Sequence, residues 1–164
     1  MTTTEVADLV VGGVFPASPE RLDVVASTRV PYVGSCGALD MVNFGAVDTV
    51  PAQFVGRRLH VHNAEVTLMR TTADENVAIG EFIARKLNAC EGPVRFLLPE
   101  GGVSLLDAPD QAFWDPEADA ALFATIERRV IQTDTRRVVR VAHHINDAQF
   151  AATALNAFEE VTAS

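Results

Sequence analysis

His60 and His62 stand two residues apart, a spacing that puts two imidazoles on one face of a β-strand because side chains alternate with period two. Two such nitrogens make a partial metal site. Zinc asks for a further ligand, for which Glu65, Asp40 or His144 would serve. The same pair reads equally as histidines that pack on a sheet and bond locally. The run Ser35-Cys36-Gly37-Ala38-Leu39-Asp40 offers backbone N–H groups to an anion and a thiol that His143 or His144 could activate. Free cysteine is also among the most buried residue types, so Cys36 serves equally as a small core filler. Glu100-Gly101-Gly102-Val103-Ser104 is the richer loop. Adjacent glycines let a backbone approach a ligand and Ser104 adds a hydroxyl, while Glu100 or Asp107 would act as a base or hold a pair of hydroxyls. The competing reading there is a tight turn with Asp107 as its cap. Arg70, followed by Thr71 and Thr72 at a helix start, makes either an anion clamp or an ordinary ion pair. For acid–base work the candidates are Asp40, Glu100 and His144.

Strand ends must hold these loops. Apolar or alternating strings predict strands over residues 30–34, 58–62, 94–99 and 137–142. Helix starts are marked by the capping-box spacings Thr2-x-x-Glu5 and Thr72-x-x-Glu75, and by Ser18-Pro19 and Asp115-Pro116. A brief helix is predicted over 38–45, irregular chain over 48–56 and 63–71, and a last helix over 147–161. Strands separated by helical runs of about a dozen residues imply parallel pairing through right-handed crossovers. The predicted fold class is therefore α/β, a Rossmann-like three-layer sandwich with a mainly parallel sheet. The 164 residues make one such domain. In open sheets of this kind ligands meet the loops at the carboxyl ends of the strands, where most of the candidate residues fall.

Composition removes several classes of function. A net charge of −9 argues against a nucleic-acid backbone as partner, which rewards clustered Lys and Arg. Lys86 is the sole lysine, so no glycine loop ends in Gly-Lys-Ser/Thr, and Schiff-base catalysis is disfavoured. No apolar stretch approaches the roughly 20 residues that span a bilayer, so no membrane partner is expected. The first residues lack the basic start and apolar run of a secretory signal, and two cysteines make no disulfide framework. The expected location is cytoplasmic.

Three long strings carry a family resemblance: Gly37-Ala38-Leu39-Asp40-Met41-Val42-Asn43-Phe44-Gly45, His62-Asn63-x-x-Val66-Thr67-Leu68-Met69-Arg70-Thr71-Thr72, and Asp115-Pro116-Glu117-Ala118-Asp119-Ala120-Ala121-Leu122-Phe123. With Gly102-Val103-Ser104, Asp107-Ala108-Pro109 and His144-Ile145-Asn146-Asp147 in the same order, nearly the whole chain resembles the Tm-like ATP-binding domain family. That family was formerly an uncharacterised one, and its plant member is the tomato mosaic virus resistance protein. The resemblance implies a C-terminal Rossmann-like half of a longer protein with two such halves, a homodimer, and ATP with Mg as cofactor of the full-length protein. The match singles out Asp40, Asn43, Asn63, Arg70, Thr71 and Ser104 as motif residues of one shared cleft, to which the strand-end loops add Ser35, Gly37, Gly101 and Gly102. The expected function is a contribution to a nucleotide or small anionic ligand cleft. The alternatives are a hydrolase or isomerase of carboxylated small molecules, metal-assisted through His60 and His62, and a dimerisation or interaction module.

Overall fold

In the computed structural model, which describes residues 3–163, helices α1 (Thr4–Val11) and α2 (Asp23–Thr28) precede strand β1 (Tyr32–Ser35). Then come β2 (Met41–Phe44), two single 3-10 turns, β3 (Leu59–Asn63) and β4 (Val66–Arg70). The chain continues with α3 (Ala73–Ala89), β5 (Val94–Pro99), α4 (Pro116–Arg129), β6 (Arg136–Val141) and α5 (Ala148–Thr162). Among the described residues these form two three-stranded sheets, a parallel one ordered β1-β5-β6 and an antiparallel one ordered β2-β4-β3.

Strand β5 is the axis of the domain. All six of its residues are buried, as expected of a central parallel strand covered on both faces. Val94, Phe96 and Leu98 point into the larger core with Ile79, Ile83 and Leu87 of α3 and Leu122 and Ile126 of α4. Leu97 points the other way, toward Phe150 and Ala157 of α5. This alternation makes three layers, helix on sheet on helix, as the order of elements predicts.

The helix signals locate α3 and α4 closely. Thr72 Oγ1 accepts from the Glu75 N–H at 3.2 Å while the Glu75 carboxylate accepts from the Thr72 N–H at 2.8 Å, a complete capping box. Asp115 caps α4 by accepting from the Ala118 N–H, with Pro116 at the first helical position. Gly80 lets the two helices close together, since a Cβ there would stand 3.1 Å from the Thr125 side chain. At the chain start α1 begins at Thr4; the capping role given to Thr2 lies outside the described residues. After Ser18-Pro19 the chain makes turns, and α2 begins only at Asp23.

Two expectations are corrected. Residues 38–45 are not a helix: Met41–Phe44 form β2, with Val42 and Phe44 buried and Met41 paired antiparallel to Arg70. Residues 63–71 are not irregular: Val66–Arg70 form β4, the middle strand of the second sheet. Thr67 and Arg70 are polar yet buried there, which hid the strand from hydrophobic periodicity. Among the described residues no helix is long and apolar enough to cross a membrane.

Candidate functional site

The loops after all three parallel strands meet along one groove of about 680 Å³. Gly37 and Ala38 follow β1, Val103 to Leu106 follow β5, and Ile145 and Asn146 follow β6. Phe150, Ala151 and Ala154 of α5 complete the sheet side, while Met41, His62 and Leu68 of the antiparallel sheet make the facing wall. The lining is chiefly apolar, with Ser104, His62 and Asn146 as its polar side chains.

Backbone bonds stitch the loops together. Ala38 donates its N–H to the Val103 carbonyl, and Ile145 donates to that of Gly102. His144 Nδ1 accepts from the Asn146 N–H at 3.1 Å, so its Nε2 carries the hydrogen and donates to the Ser104 carbonyl at 2.8 Å. Both ring nitrogens therefore serve the loop. The two glycines do likewise: a Cβ on Gly101 would run into the backbone of His143 and His144, and one on Gly102 into the Asp107 carbonyl. Their missing side chains admit the protein's own backbone.

Beneath Ser104 lies a buried polar network. Ser104 Oγ donates to Asp40 Oδ2 at 2.7 Å and accepts from the Leu106 N–H. Burial pushes the Asp40 carboxyl up to about 6; the Asp107 charge adds to the rise and the Ser104 hydrogen bond opposes it. Asp40 Oδ1 has no hydrogen-bond partner. Arg70 is fully engaged: Nε donates to the Phe113 carbonyl, Nη1 to Thr71, and Nη2 to the Asp115 carbonyl and to Asp119 Oδ1 at 2.7 Å. Asp107 Oδ1 lies 3.6 Å from the same Nη2, while its Oδ2 accepts from the Val103 N–H as the cap reading predicts. Burial, together with the Asp107 charge, raises the Asp119 carboxyl against the pull of Arg70. Asp107 Oδ1 has no hydrogen-bond partner, so the cluster holds it by charge alone.

The candidate residues thus divide between the two sides of the 100–107 loop. Gly37 and Ser104 line the groove, with Asp40 directly beneath. Arg70 and Thr71 sit in the interior network on the loop's other side, where Thr71 Oγ1 donates to the Leu39 carbonyl. Arg70 has no donor free for an anion. Ser35 donates to the Leu97 carbonyl inside the sheet. Asn43 joins β2 to α1 through Thr4 and Asp8. Asn63 turns the β3–β4 hairpin by accepting from the Glu65 N–H. Glu100 forms an exposed ion pair with Arg140. Cys36 is wholly buried, and desolvation together with the Asp119 charge pushes its thiol well up, the reverse of nucleophile activation. His62 reaches the groove while His60 packs edge-on to Phe113, and among the described residues no group of three or more His, Cys, Asp or Glu could hold a metal ion.

Sequence reasoning missed Asp119 and Asn76, which look like surface polar residues of helices but are buried in the network. It also missed the α5 side of the groove. The signal was there: Phe150, Ala151 and Ala154 recur at helical spacing near the start of the last helix.

Fold and groove together define an α/β domain whose strand-end loops frame an apolar, sparsely polar cleft. The chain belongs to the uncharacterised protein family UPF0261, matching its C-terminal domain over residues 1–162. It is 56% identical over 161 residues to a UPF0261 protein of Rhizobium meliloti, covering 98% of this chain and 40% of that relative. A UPF0261 protein of Clostridium tetani is 46% identical over 151 residues, covering 92% of this chain and 37% of the relative. The ToMV resistance protein Tm-1 of Solanum lycopersicum is 46% identical over 162 residues, covering 99% of this chain and 22% of that protein. The chain therefore spans less than half the length of these relatives, and the expected family is the family found.

Proposed function

We propose that this domain supplies part of a nucleotide or small anionic ligand cleft at the carboxyl ends of its parallel strands. The observation that carries the proposal is the convergence of the loops after β1, β5 and β6 on one groove, the position at which open α/β sheets bind ligands. ATP, the cofactor implied by the family resemblance, fits this groove only in part. Apolar walls with a few polar points suit a flat base and its sugar. The triphosphate and Mg find no matching charge, since Asp40 lies buried beneath the floor and every Arg70 donor is engaged inside. Phosphate and metal contacts then fall to the rest of the full-length protein.

Calorimetric titration tests this directly. The chain alone should bind adenosine and Mg-ATP with similar weak affinity, and the full-length Rhizobium meliloti relative should bind Mg-ATP far more tightly. If neither ligand binds either protein, the nucleotide reading is overturned. A second reading draws on Asp40. A carboxyl titrating near 6 and hydrogen-bonded to a groove-lining serine is suited to proton exchange with a carboxylated substrate of a hydrolase or isomerase. Turnover in the full-length protein that survives Asp40→Asn would eliminate it. The tomato ToMV resistance and ToMV susceptible proteins match this chain at 46% and 44% identity. Possession of the domain therefore does not by itself separate those two proteins.

A further inference from the structure

Helix α5 has two apolar faces. Phe150, Ala157 and Val161 are buried, the first two in the small core beneath β5. Ala151, Leu155 and Phe158, at spacing i, i+4 and i+7, form a second stripe, with Leu155 57% and Phe158 51% exposed. Ala151 lines the groove, so the stripe extends the groove's rim along the helix. In the same lining, on the loop after β5, stands Leu105, 75% exposed. Exposed apolar side chains grouped around one groove and along one helix face mark an interaction face.

The chain's path indicates what covers that face. Thr3 donates both its N–H and its hydroxyl to the Gly37 carbonyl, at 2.8 and 3.0 Å, and Gly37 lines the groove. Thr3 therefore lies at the groove's rim. The bacterial relatives carry about three fifths of their length outside the matched region, and the matched region is the family's C-terminal domain. A unit tethered ahead of Thr3 by a few residues, each spanning at most about 3.5 Å, meets the groove at high effective concentration.

We propose that the N-terminal portion of the full-length family protein docks on the outer stripe of α5 and on Leu105, and so closes the groove into an interdomain cavity. The docking stands on exposed apolar surface and chain path; only the use of the enclosed cavity rests on the ligand proposal above.

Thiol labelling without ligand tests it. Cys36 and Cys90 are buried, so single cysteines placed by Leu105→Cys, Leu155→Cys or, as control, Val55→Cys at an 84% exposed site report their own surroundings. In the full-length family polypeptide carrying this domain, maleimide labelling at 105 and 155 should slow about tenfold or more relative to the isolated chain, with 55 unchanged. Phe158→Glu in the full-length protein should restore fast labelling at 105. Equal rates in both forms overturn the proposal. So does protection that arises in the isolated chain and grows with its concentration, which assigns the stripe to a second copy. Because no nucleotide is added, failure here leaves the calorimetric result untouched.

Discussion

Arg70 neutralises a buried cluster that contains more carboxylate than it can balance. Asp40, Asp107 and Asp119 lie on its interior side, and only Asp119 is at direct hydrogen-bond distance. Replacing one partner of a buried ion pair leaves the other uncompensated, so Arg70→Met should cost about 3–5 kcal/mol at pH 7. The loss should shrink at pH 5, where Asp40 has taken up its proton. Urea titrations at the two pH values check this, and a loss that ignores pH would refute the account of the cluster. Asp40 makes a separate statement. Its folded value of about 6 lies above the ordinary 3.8, so its contribution is full below about pH 4 and is lost as pH rises through 6. Stability should fall by up to about 3 kcal/mol over that range from this group alone. Asp40→Asn should flatten the slope, measured as unfolding free energy from pH 4.5 to 7.5.

At the scale of elements, loop geometry is set by backbone packing. Gly102 has φ +120 and no room for a Cβ beneath the Asp107 carbonyl. Gly102→Ala should cost at least about 1–3 kcal/mol from conformation alone, and thermal unfolding should show it while far-UV circular dichroism stays near the parent's. Thr72→Ala, which removes one half of the α3 capping box, should cost only about 1 kcal/mol. The contrast separates a loop that shapes the groove from a cap that only starts a helix. α3, α4, β5 and β6 were legible because their periodicity and start signals agree with their final environment. β2 and β4 were not. Their polar residues, Asn43, Thr67 and Arg70, are satisfied or enclosed by parts of the chain far away in sequence, and local pattern carries no record of that.

At the scale of the whole molecule, exposed apolar side chains stand on the loop after β5 and along the outer face of α5. Leu105, Leu155 and Phe158 stay exposed while the groove between the loops and α5 remains open. The isolated chain should therefore bind an environment-sensitive dye such as ANS in its native state, and Leu155→Glu with Phe158→Glu should reduce that signal without lowering the unfolding midpoint. A midpoint that falls sharply would mean that these side chains belong to the core. The candidate cleft follows the same logic. Gly37, Ser104 and the His144 loop were legible as strand-end residues, and they do frame the groove. Arg70, Asn43 and Asn63 shared their motifs, but sheet pairing turned them to the interior, to α1 and to a hairpin.

By itself the sequence determined the class of the fold and its parallel sheet, because helix starts, buried strands and crossover lengths are local or periodic properties. It also determined family membership through strings long enough to be specific. Tertiary structure alone decided which polar residues face a ligand and which hold the loops together. Arginine, aspartate and glycine at a strand end look the same in either role, and only the atoms that come to lie opposite them, often more than 30 residues away, make the difference.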